Sequence, residues 1–263
     1  MSEEKLDRRA ARAARKAQKQ LENAARSLNK RMIRFSQDER FAARLAEALP
    51  IYWDGYYTLE TADEMDMSES LRFFDWFFYD YKPESEDTTI FETWVAEHRD
   101  DLDEREQSVV DGWINMPAPS AYIFNDFDAI NARFQLTEYF SGEDVMAKSP
   151  AGFGNSKKGD LILVRLLPVG EELLFSTVGA FIPSDEIDGL KEKMDTAREA
   201  DADGDFNAFM QRNSHLIVHH ALQKSVDEGR FAVTRLDPTR VDKAVKRAGK
   251  NMAKKFKKRI KRK

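Results

Sequence analysis

The chain has 263 residues, 41% of them apolar and 34% charged, with a formal net charge of −5 and no cysteine. That length suits one sizeable domain or two small ones, and the lack of cysteine excludes disulfides and thiolate metal sites. No apolar run approaches the roughly 18 residues needed to span a bilayer. The N-terminal MSEEKLDRRAARAARKAQKQ lacks the apolar stretch and cleavage site of a secretory signal, so a cytoplasmic location is expected.

The net charge conceals a strong asymmetry. Residues 1–35 carry 11 Lys/Arg against 4 Asp/Glu, and residues 239–263 carry 13 Lys/Arg against the single acid Asp242. The stretch between them holds 18 basic and 42 acidic residues, so an acidic body is flanked by two basic arms.

In chain order, residues 3–35 contain neither Gly nor Pro and are rich in Ala, Arg, Lys and Gln, which predicts a long helix. Ala14, Leu21, Leu28 and Phe35 recur every seventh residue beside Ala10, Ala17 and Ala24, a thin heptad seam that Arg31 interrupts. QDERFAARLAEAL continues helical to Pro50, and IYWDGYYTLET reads as a loop or short strand. Residues 68–81 predict a helix, with Ser68 as N-cap and Lys82–Pro83 as stop.

That helix contains FFDWFFYDY, seven aromatic residues in the nine positions from Phe73 to Tyr81. A helix aromatic nearly all round must be buried between layers, so it reads as core rather than as a box for a ring-shaped ligand. Asp75 and Asp80 are the exceptions, since a buried carboxylate needs a donor or a cation. Five residues apart, they do not share a helical face, which argues against a paired acid/base role.

TTIFETWVAEHR and DEREQSVVDGWINM predict two further amphipathic helices. After Pro117 and Pro119 the apolar period shortens to two, as in Ala132, Phe134 and Leu136. KKGDLILVRLLPVGEELLFSTVGAFIP reads as two strands turning near Val169–Glu172. Such short strands predict a small antiparallel barrel or strongly bent sheet. Helices then resume, one in PSDEIDGLKEKMDTAREA with Ser184 as cap and one over 205–228.

The fold expected is therefore α+β. Its parts are a basic helical arm (1–36), an aromatic-rich helical region (37–117), a small β barrel (118–183), a helical region (184–237) and a basic amphipathic tail (238–263). FFDWFFYDY, REQSVVDGW and GDLILVRLLPVG together resemble uncharacterised bacterial proteins often associated with a C-terminal SEC-C metal-binding motif, over roughly residues 65–185. The resemblance supports the fold and implies no activity. Without cysteine the SEC-C zinc site is absent, and the basic tail stands in its place.

No cofactor motif is complete. HLIVHH sets His215 and His219 one helical turn apart, a metal-ligand spacing, but Leu216 follows where a zincin needs Glu, and no third ligand is identifiable. They are weak metal candidates. DADGDFNAFMQR begins like a calcium loop at Asp201, Asp203 and Asp205 but has Phe206 at position 6 and Arg212 at position 12; an acidic, capped helix start fits better. GFGNSKKGDL spaces Gly154 and Gly159 like a phosphate loop, but Asp160 and Leu161 follow in place of Lys and Ser/Thr.

The tail carries the clearest signal. Val241, Val245, Ala248, Met252, Phe256 and Ile260 form a narrow apolar stripe among Lys243, Lys246, Arg247, Lys250, Lys254, Lys255, Lys257, Lys258, Arg259, Lys261 and Arg262. Such a segment can lie across nucleic-acid phosphates, lie on an anionic membrane, or dock on its own acidic body. Few large apolar groups favour phosphate over lipid. Residues 120–186 contain only five basic residues, including Arg165, too few for a binding groove. RNA or DNA contact is therefore assigned to the tail and to Arg8, Arg9, Arg12, Arg15 and Lys16. The expected function is a non-enzymatic nucleic-acid-associated factor, with the ribosome as a candidate partner. The alternative is an adaptor whose acidic body engages a basic protein, and a third reading, a metal-dependent hydrolase, needs an ion near His215 and His219.

Overall fold

A computed structural model describes residues 3–65, 67–148, 157–177, 179–201 and 204–227. Five helices come first: α1 (Glu3–Ser36), α2 (Ala42–Tyr52), α3 (Met67–Tyr79), α4 (Ile90–His98) and α5 (Glu104–Ile114). Seven strands follow, β1 (Ser120–Asp128), β2 (Arg133–Glu138), β3 (Asp144–Lys148), β4 (Leu161–Val164), β5 (Leu166–Val169), β6 (Glu172–Phe175) and β7 (Ala180–Ile182). Three helices close the described chain, α6 (Leu190–Ala200), α7 (Phe206–Asn213) and α8 (His215–Asp227). The fold is α+β, as the sequence predicts.

Local chemistry sets most boundaries. Thr89 and Asp103 cap α4 and α5 in full capping boxes with Glu92 and Glu106. Pro50 does not stop α2. It sits in the last turn, where its missing N–H costs a single helical bond, and the helix ends at Tyr52 before the left-handed pair Asp54–Gly55 (φ 52° and 74°). Likewise α3 is already under way at Met67, one residue before the expected cap at Ser68. Ser184 opens a separate 3-10 turn, and α6 starts after the left-handed Gly189 (φ 86°). The single helix expected over 205–228 is two. It breaks at the buried Ser214, where the Asn213 amide donates to Asp201 and to the Phe209 carbonyl and so holds the turn.

The aromatic segment is core. Phe73, Trp76, Phe77, Phe78, Tyr79 and Tyr81 are buried, Phe73 stacks on Phe77 at 5.5 Å and Phe77 on Tyr81 at 6.1 Å. Each such ring contributes roughly 1.5–3 kcal/mol by leaving water. One apolar cluster joins them to Leu28 and Met32 of α1, Trp53, Trp94 and Trp113, to Leu161, Leu163 and Val169 of the sheet, and to Phe209, Ile217 and Val218.

The sheet runs in the order β5-β6-β3-β2-β1-β4-β7. Only Arg165 separates β4 from β5 in sequence, yet four strands lie between them in the sheet. The sheet must therefore curl back on itself to let the covalent chain cross, which makes it a half-barrel. Alternation across the pleat sorts the side chains: Ile162, Val164, Phe124, Phe134 and Phe175 fill the inside of the curl, while Leu161 and Leu163 face the helices. All pairings are antiparallel except β3 with β6, which run parallel at Ala147–Leu173 and Lys148–Leu174. The sheet, expected to be antiparallel, is thus mixed, because the β5–β6 hairpin arrives at β3 from the crossing at Arg165.

Candidate nucleic-acid interface and buried charge cluster

Two assemblies of charge stand out, one on the surface and one in the interior. The surface one is α1. Its body-facing side carries Leu21, Ala25, Leu28 and Met32, packed against α3, α4, α5 and β5. Gln18 marks the point where contact begins: its amide donates to the Val169 carbonyl at 2.7 Å and its carbonyl accepts from Glu171 N–H at 3.2 Å. That grip explains Gly170 in the hairpin, whose φ of 59° favours glycine and where a Cβ would collide with Gln18.

Before Gln18 the helix stands clear of the body, and residues 9–17 are exposed on every side. Arg9, Arg12, Arg15, Lys16, Lys19, Arg26, Lys30 and Arg34 are all exposed. Wound on a helix they fall within an arc of roughly 120°, opposite the packed face, along about 38 Å of axis. Glu22 is the sole acid between residues 9 and 36, and it is turned to the body, where Lys148 donates to it at 2.9 Å. From Arg12 to Arg34 the outward face of α1 is therefore a ridge of cations, and the one carboxylate at its edge, Glu22, is held by Lys148.

The structure places Arg9, Arg12, Arg15 and Lys16 on one exposed face of α1, together with Lys19, Arg26, Lys30 and Arg34. Lys19 continues the same face three, four and seven residues beyond Lys16, Arg15 and Arg12, and Arg26, Lys30 and Arg34 follow it at steps of seven, four and four. Arg8 lies in α1, but its side chain is outside the described residues. The tail cations from Lys243 to Arg262 also lie outside them.

The interior assembly centres on Arg165, the residue between β4 and β5. Its side chain is 1% exposed. Its Nε donates to Asp75 at 3.1 Å, its Nη2 to Asp80, and its Nη1 to the Pro117 carbonyl at 3.3 Å, while the guanidinium lies 5.0 Å from the Tyr79 ring. Asp80 can join Asp75 because α3 ends at Tyr79, and the chain turns its carboxylate back toward the same cation. The separation of five residues therefore does not keep the two acids apart. Burial raises the Asp80 carboxyl to about 7, against the pull of Arg165 and with the help of Asp75. Burial also works against the charge on Arg165, but Asp80 and Asp75 outweigh it and hold the guanidinium protonated. The arrangement clamps α3 to the sheet and, with every charge bonded internally, presents no reactive group to solvent. A lone cation inside LILVRLLPV was the sequence signal for it.

Among the described residues no third ligand joins His215 and His219. The rings of His215 and His219 are 5.1 Å apart, but His219 Nε2 lies 2.8 Å from the Ile51 carbonyl. Burial, with a smaller push from His219, lowers His215 to about 4, so it is neutral at physiological pH. Among the described residues no group of His, Asp and Glu could hold a metal ion. Asp201 pairs with Arg212 at 3.0 Å and Asp205 caps α7 through Ala208 N–H at 2.8 Å, so these acids serve a helix start. No described helix is long and apolar enough to cross a membrane.

The chain matches no protein-family model, no curated protein and no solved structure.

Proposed function

We propose that this protein is a non-enzymatic nucleic-acid-associated factor that holds a phosphate backbone with the outward face of α1 and with the basic segment 238–263. The observation that carries the reading is the cationic ridge, eight exposed Lys and Arg side chains on the side of α1 that the body does not use. An exposed row of like charges contributes nothing to folding, because the charges repel one another. A polyanion removes that repulsion and releases its own counterions. Structured RNA, including ribosomal RNA, suits such a contact, since phosphate recognition of this kind carries little sequence information.

The test is RNA binding by the intact chain, by a 1–238 truncation, and by a ridge variant with Arg12, Arg15, Lys19, Arg26 and Lys30 changed to Gln, at low and moderate salt. Affinity should fall in both altered forms. The slope of log affinity against log salt should flatten by about 0.7–0.9 for each phosphate that is no longer neutralised. Binding that survives the removal of both basic elements unchanged sinks the proposal. If the intact chain binds no RNA or DNA at all, the acidic body becomes the surface to test, against basic proteins.

A further inference from the structure

A groove of about 210 Å³ runs between α1 and α3. Its walls include Asn29 and Ile33 of α1 and Leu71 and Phe74 of α3. All four are only half-buried, so these parts of the lining are open to solvent. Met67, one turn before Leu71, carries the same apolar face of α3 outward and is 76% exposed. Phe74 meets Phe73 and Phe77 of its own helix at 5.3 and 6.3 Å, with ring planes 68° and 71° apart. Among the described residues no ring from another element covers it.

The volume decides what kind of occupant fits. It is below the roughly 300–1,000 Å³ of sites that enclose a whole small molecule, so it suits one ring of a molecule held elsewhere. The holding groups stand beside it. Arg26 and Lys30 of the ridge precede Asn29 and Ile33 by three residues, and side chains so spaced are neighbours on a helix, with about 5–6 Å between Cβ atoms. Both cations are exposed. Among the described residues Asp75 is the one charged group of the lining, and it accepts from Arg165 at 3.1 Å. The cations at the rim therefore set the charge of the occupant, and they repel the basic segment 238–263 of this chain. Asn29 adds a polar edge: its amide donates to the Ser176 carbonyl at 3.2 Å, which leaves its own carbonyl oxygen to accept from a ligand N–H. An acyl chain has no use for that oxygen, whereas a nucleobase does.

We propose that this groove takes a single unpaired base of a strand whose phosphates lie on Arg26 and Lys30, the base resting on Phe74 between Leu71 and Ile33. The inference rests on the ridge holding a phosphate backbone. It makes the preferred ligand single-stranded, because a paired base must first leave its stack, and it carries little sequence preference, because every base has a face to stack.

Binding of the intact protein to a short RNA strand of mixed sequence tests it, against the same strand in a duplex and an abasic strand of equal length. The base-bearing strand should bind about tenfold tighter than the abasic one, the contribution of one stacked base. F74L keeps an apolar side chain and removes the aromatic face, and should cost the single strand about tenfold while leaving the duplex and abasic strand unchanged. F74Y keeps the ring and should bind as the parent does. The salt slope should be the same in F74L as in the parent, since the phosphate contacts remain, whereas the ridge variant should flatten it. The abasic comparison alters only the ligand, so it stands even where F74L disturbs the fold. Equal affinity for base-bearing and abasic strands, or single-strand affinity unchanged in F74L, would overturn the inference, leave the phosphate reading intact and point to a protein side chain as the occupant. Absence of all RNA binding would overturn both.

Discussion

The guanidinium of Arg165 is 1% exposed and holds two carboxylates and a carbonyl, whereas those of Arg12, Arg15 and Arg26 stand in solvent on the side of α1 turned away from the body. The first is surrounded by groups that need it; without it two acids would be buried without a cation. The others touch nothing that folding requires. Burial fixes what an arginine does inside this protein, and exposure leaves the outer ones available to a partner. The same division runs along α1 itself. From Leu21 to Ser36 the helix is part of the core, and before Gln18 it is a free-standing strut.

The largest expected effect comes from breaking the inner side of this comparison. Arg165→Met should destabilise the protein by about 3–5 kcal/mol, because it strands Asp75 and Asp80 in the interior. Adding Asp75→Asn and Asp80→Asn should return much of that loss. Urea unfolding of the single and triple variants measures both. A single variant as stable as the parent would show that the cluster does not clamp α3 to the sheet.

A smaller effect sharpens the same point through pH. The Asp80 carboxyl is raised in the folded state, so the fold binds its proton more tightly than the unfolded chain does. Its contribution to stability is therefore fully present below about pH 4 and is lost as pH rises through about 7. Asp80→Asn removes this titration, so stability should fall less steeply between those pH values in the variant than in the parent. Parallel pH profiles would place the titrating group elsewhere. The smallest effect belongs to the outer arginines: Arg12→Gln, Arg15→Gln and Arg26→Gln should each change stability by no more than about 0.5 kcal/mol. A thermal-melt shift well beyond that would mean that the ridge serves the fold after all.

Much of the architecture was legible in the chain. The α+β class, the buried FFDWFFYDY helix, the turn at Gly170 and the acidic start of α7 follow from period, composition and capping residues. Errors fell where a boundary depends on one residue, as at Pro50, which a last helical turn tolerates, and at Ser214, where a side chain bonded to Asp201 breaks the helix. Asp75 and Asp80 were recognised as needing a cation, and Arg165 stood in plain view 85 residues beyond Asp80. Nothing local joins them.

What the sequence determined by itself is whatever repeats along a short stretch: helices, strands, the bulk of the aromatic core, and the charge division between acidic body and basic arms. Tertiary structure alone decided which face of α1 stays outside, that the sheet curls until β4 and β5 meet across Arg165, and that a groove runs between α1 and α3. The reason is that periodicity and capping act over a few residues, while packing selects among faces and crossings only once distant segments have been brought together.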